Sequence, residues 1–76
     1  MEKREYVDVV SVKIANSSIP HEIIWRDHSR FIISRLLHIC ICVDDGKEVL
    51  RHTVLIGNKQ KYLYKDNNAW YVKIPG

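Results

Sequence analysis

The sequence predicts an all-β fold: about six short antiparallel strands in a meander, curled into a small SH3-like barrel or roll. Three observations carry this. β-branched and aromatic residues cluster in short runs divided by polar or glycine-containing breaks. No window longer than about ten residues carries a helical stripe. The breaks hold turn-forming pairs, above all Asp45-Gly46 and Asn67-Asn68. A half-apolar sheet of this size must cover its own face, so it curls. An open sheet completed by dimerisation is the alternative.

The first run is EYVDVVSVKIA, residues 5–15. Tyr6, Val10, Val12 and Ile14 share one parity, and Val7 and Val9 share the other. Residues 16–20, NSSIP, read as a loop. Pro20 lacks an N–H, which places it at the start or edge of the next strand. The second run, HEIIWRD (21–27), turns at Asp27-His28-Ser29 into RFIISRLLHICICV (30–43). That third run is too long for one flat strand. Arg35 interrupts the face formed by Phe31, Ile33, Ile39, Ile41 and Val43, so a bulge near Arg35–Leu37 restores the pattern. A single helical turn there is the other possibility.

Asp45-Gly46 is the strongest hairpin signal. As a two-residue turn it pairs Val43 with Glu48, Cys42 with Val49, Ile41 with Leu50, Cys40 with Arg51 and Ile39 with His52. The same register, carried on, opposes Leu37 to Val54. Ile39, Ile41 and Val43 then point to the core. The fourth run (48–57) turns at Gly57-Asn58-Lys59, and the fifth (61–66) at Asn67-Asn68. The sixth covers 69–74. Leu63, Trp70, Val72 and Ile74 form its core face, leaving Tyr62, Tyr64, Tyr71 and Lys73 on the other.

Seventy-six residues bound this to one domain, 1–76. Such a core supplies roughly 3–5 net kcal/mol, so a dimer, a partner or a bound ligand would each add to it. Twelve Lys+Arg against nine Asp+Glu give +3, a mildly basic balance. A dedicated nucleic-acid binder usually carries a denser basic stripe. No apolar run approaches the roughly 18 residues of a membrane span. The opening MEKREYVDVV lacks a signal-peptide core. The expectation is a cytoplasmic protein, not bound to membrane.

The order of VDVVSV (7–12), PHEIIWRDH (20–28), FII (31–33), YLY (62–64) and WYV (70–72) resembles a family of small uncharacterised bacterial all-β proteins, a domain of unknown function. His28 stands where that family carries a turn glycine. The resemblance implies a compact all-β domain and no activity.

The segment HICIC sets His38, Cys40 and Cys42 at alternate positions. Along a strand the two cysteines lie roughly 6.5–7 Å apart. A disulfide needs Cβ atoms roughly 3.5–4.5 Å apart, so free thiols in a reducing compartment fit better. Zinc sites use Cys-x2–4-Cys or His-x3–5-His pairs, and this spacing chelates poorly. Arg51 opposite Cys40 would repel a cation. Small semi-buried strand residues are the simpler reading. Asp44 and Asp45 read as turn builders, and His21, His28, His38 and His52 have no partner at a diagnostic spacing. No nucleophile motif or phosphate-binding loop is present. The sequence therefore predicts no catalysis, cofactor, metal or small-molecule substrate.

The best surface on offer is Tyr62, Tyr64 and Tyr71 with Lys59, Lys61, Lys65 and Lys73. The expected function is a non-catalytic interaction module whose partner is a protein or a second copy. The alternative is a small barrel that stacks single-stranded nucleic acid on that aromatic and lysine face. Paired tyrosines and guarding lysines are also what an ordinary hairpin needs.

Overall fold

Short polar turns cut the chain into seven antiparallel strands. In the computed structural model, which describes residues 2–75, these are β1 (Glu2–Ile14), β2 (Ser17–Ile24), β3 (Arg30–Ile32), β4 (Arg35–Asp44), β5 (Lys47–Ile56), β6 (Lys59–Asp66) and β7 (Ala69–Pro75). They form one sheet in the order β3-β2-β1-β7-β6-β5-β4, curled into a half-barrel. The fold is all-β, as expected, with one strand more than the sequence suggested.

Four hairpins use two-residue turns, at 15–16, 45–46, 57–58 and 67–68. Asp45 and Gly46 both have positive φ, 53° and 73°, the geometry that lets a two-residue turn follow the strand twist. The expected register holds from Val43↔Glu48 to Ile39↔His52. It then slips: Leu36, not Leu37, faces Val54, because Leu37 is a bulge. The NSSIP loop is instead a tight turn at 15–16 followed by strand, since Ser17 and Ser18 pair with Ile14 and Lys13. Pro20 lies at a second register shift, beyond the stretch of β2 that β3 pairs, where its missing N–H costs nothing.

The extra strand comes from the long third run. It breaks at Ile33-Ser34, where the chain leaves one sheet edge and crosses to the other. The Ile33 N–H donates to His21 O at 2.9 Å, and the Ser34 N–H donates to Leu55 O at 2.8 Å. The Ser34 hydroxyl adds a 3.0 Å bond to Leu55 O. β1 is shared in a similar way. Its first half (2–7) pairs with β7 and its second half (8–14) with β2. These two shared segments give the sheet its curl.

The inside of the curl is filled by Val7, Ile23, Ile33, Val54, Leu63 and Trp70, with Val9, Trp25, Leu36, Ile56 and Val72 packed against them. A second cluster occupies the outer face: Val49, Tyr64 and Tyr71, with Cys42. It exists because the β4–β5 hairpin overshoots the barrel and leans back over β6 and β7. This overturns one expectation. Ile39, Ile41 and Val43 do not reach the core. On the overshooting arm their face turns to solvent, leaving Ile41 67% and Val43 70% exposed. The alternate face, with Cys42 and Asp44, packs inward instead. Cys40 and Cys42 are free thiols.

Candidate functional site

Asp44, at the tip of β4, holds the arm down. Its Oδ1 accepts from Lys73 Nζ at 2.6 Å, and its Oδ2 accepts from the Tyr71 hydroxyl and meets Arg4 NH2 at 2.9 Å. Hydrogen bonds from Lys73 and then Tyr71 hold this carboxyl below the usual range. Burial, then the bond to Asp44, pushes the Tyr71 phenol up. Arg4 lies over the Tyr71 ring, 4.4 Å from its centroid, and Lys73 lies 5.2 Å from that of Tyr64. Tyr64 and Tyr71 stack at 5.1 Å with their planes 10° apart, and Tyr6 tilts against Tyr71 at 5.6 Å. One charged latch and three rings thus fasten the arm to β1, β6 and β7.

This arrangement changes what the tyrosines offer. Tyr71 is fully buried at 0% exposure, and Tyr64 is also buried. Tyr62 alone of the three is open, 44% exposed, with Arg51 4.5 Å from its ring centroid. A turn at Asn67-Asn68 implies that Tyr64 pairs with Tyr71 and Leu63 with Val72; the first pair is present and the second is not, because the strands have begun to part there. Their shared face is real, but the arm covers it.

On the far side of Tyr64 the sheet opens. β6 and β7 pair only at Tyr64↔Tyr71, Lys65↔Trp70 and Asp66↔Ala69. Beyond that they separate, although β6 stays paired with β5 and β7 with β1. The gap is a cleft of about 540 Å³ whose lining includes Ile23, Trp25, Phe31 and Ile56, and whose sides are β6 (Lys59–Tyr64) and β7 (Val72–Ile74). Trp25 and Phe31 meet edge-on at 6.3 Å.

The separated strands leave main-chain groups unpaired. In an antiparallel ladder, alternate residues turn both backbone groups to the same neighbour. The turn at 57–58 makes Ile56↔Lys59 the first bonded pair, so Lys59, Lys61 and Leu63 bond to β5. Gln60 and Tyr62 then face the gap. From the turn at 67–68 the same alternation directs the Lys73 backbone into it from the other side.

Five of the seven residues expected to form a binding surface line this cleft: Lys59, Lys61, Tyr62, Tyr64 and Lys73. Tyr71 lies in the outer cluster, and Lys65 sits by the Trp70 ring at 5.1 Å. Lys59, Lys61 and Lys65 have no carboxylate partner among the described residues. Sequence reasoning missed the apolar lining. Trp25 and Phe31 flank the β2–β3 turn, and an aromatic on each side of a tight turn was the available sign. Among the described residues, no group of three or more His, Cys, Asp or Glu is placed to hold a metal ion.

Comparison with protein-family models, with curated proteins and with solved structures finds no match.

Proposed function

We propose that the protein is a non-catalytic interaction module that takes an extended, acidic segment of a partner protein into the β6–β7 cleft. The observation that carries this is the pair of unsatisfied strand edges on either side of an apolar gap. A peptide strand entering there bonds to Gln60 and Tyr62 on one side and to Lys73 on the other, completing the barrel. Ile23, Trp25, Phe31 and Ile56 accept its apolar side chains. The unpaired Lys59 and Lys61 at the rim favour carboxylates on the incoming segment.

Reading the same surface as a single-strand nucleic-acid platform is weakened by the cover over Tyr64 and Tyr71. Tyr62 is then the one open ring for a base to stack on.

Amide chemical-shift titration tests the proposal. The probe is an extended peptide alternating Glu with Val or Phe. Expected are saturable shifts centred on Gln60, Tyr62 and Lys73, with affinity lost at least tenfold when the peptide backbone is N-methylated at alternate positions. Shifts that avoid these residues, or equal binding of the N-methylated peptide, would overturn it. An oligonucleotide of matched charge serves as the comparison ligand, and tighter binding of it favours the nucleic-acid reading.

A further inference from the structure

β4 is the last strand of the sheet, and one long side of it is open. Counting from the turn at 45–46, Asp44, Cys42 and Cys40 turn their backbone groups to β5. Ile39, Ile41 and Val43 turn theirs outward. Among the described residues, no backbone hydrogen bond outside the strand ladders reaches them. Their side chains are exposed as well, and Leu50, the cross-strand partner of Ile41, extends the apolar stripe. Beyond the bulge at Leu37, residues 38–43 of this edge contain neither lysine nor proline, two of the usual guards of an edge strand.

We infer that this edge pairs with the same edge of a second copy, antiparallel about a two-fold axis at Ile41. The register follows from the chemistry. Along this edge beyond the Leu37 bulge, Ile39, Ile41 and Val43 turn free backbone groups outward, so the bonded pairs must join odd residues. Centring on Ile41 sets Ile41 against its own copy and Ile39 against Val43 of the other. Six β-branched side chains then form one continuous face. The same register opposes His38 to Asp44 of the second copy, which keeps unlike groups together. Cys40 falls opposite Cys42. Two sheets become one across the axis, as a closed two-fold contact requires. The site is separate from the β6–β7 cleft, so either proposal can fail without the other.

Sedimentation equilibrium between about 10 and 500 µM tests the inference. The expected result is a reversible monomer–dimer equilibrium. Ile41→Lys should weaken it at least tenfold, while Ile32→Lys, at an equally exposed position on β3, leaves it unchanged. Ile41→Pro should also abolish the dimer, because the lost N–H belongs to the free edge and not to the β4–β5 ladder. Circular dichroism checks that each variant folds. Mixed labelled and unlabelled protein should show an Hα–Hα contact between Cys40 of one copy and Cys42 of the other. A monomer throughout the range, a dimer indifferent to Ile41→Lys, or intermolecular contacts on another surface would each overturn the inference.

Discussion

His28 has a φ of 69°, in the left-handed region. Its N–H donates to Trp25 O at 2.9 Å, and the Trp25 N–H donates to Ser29 O at 2.9 Å, so the bend is closed on both sides. Asp27 Oδ1 accepts from the Ser29 N–H at 3.0 Å. The turn chemistry is sound except at His28, where a side chain stands in a conformation that costs about 1–2 kcal/mol for an L-residue. Glycine removes that cost and loses part of the gain to chain entropy. His28→Gly is therefore expected to stabilise the fold by about 0.5–1 kcal/mol, read as a higher urea midpoint with an unchanged slope. The sequence pointed to this position as a turn, because aspartate and serine flank it. It did not reveal the strain, since only the backbone angle does.

At the scale of elements, the β4–β5 arm is where sequence and structure part. Its register was legible because Asp-Gly chemistry is local and alternation does the rest. Its direction was not. Parity states which residues share a face, but not which face a twisted hairpin presents once it has passed the end of its sheet. The deciding contact is Asp44 with Tyr71, Lys73 and Arg4, which joins residues far apart in sequence. Asp44→Asn should cost about 2 kcal/mol, because it removes the negative charge that Lys73, Arg4 and the Tyr71 hydroxyl share. The expected signature is local. Hydrogen exchange should rise at Cys42 and Val49, and the Tyr71 ring should become accessible, while Val54 and Leu63 keep their protection. Equal loss of protection in both clusters would show that the arm is not a separable unit. The separation of β6 from β7 was equally hidden, because the Asn67-Asn68 turn fixes only the first pairs of that ladder.

For the whole molecule, one buried group ties stability to pH. His52 is 2% exposed, packed 5.0 Å from the Trp70 ring, and its Nδ1 has no hydrogen-bond partner among the described residues. Burial, and to a lesser extent nearby Lys65, lowers its pKa from the ordinary 6.5. The unfolded chain therefore takes up this proton more readily than the folded one. The stabilisation is complete above about pH 6.5 and declines as pH falls toward the folded value. Asp44 adds a second loss at lower pH, below about 4, where its unfolded carboxyl protonates. Denaturant midpoints are expected to fall between pH 7 and 5, and His52→Phe should flatten that slope. An unchanged slope in the variant would remove His52 as its source. The all-β class, the strand positions and most registers were readable from local pattern. How the sheet closes was not, because closure depends on two crossings, at Ile33-Ser34 and at the middle of β1.

The shared β1 strand also has a kinetic meaning. Every ladder in the sheet joins strands that are neighbours in the chain, except β1 with β7. The protein is therefore two local meanders, β1–β2–β3 and β4–β5–β6–β7, each able to form from short-range encounters. The β1–β7 seam closes nearly the whole chain as a loop and carries the largest entropic penalty of any pairing. Arg4 and Tyr6 lie on that seam, and both touch Tyr71. Tyr71 is thus shared by the arm and the seam, so the pairing with the largest closure cost also builds the surface on which the arm docks.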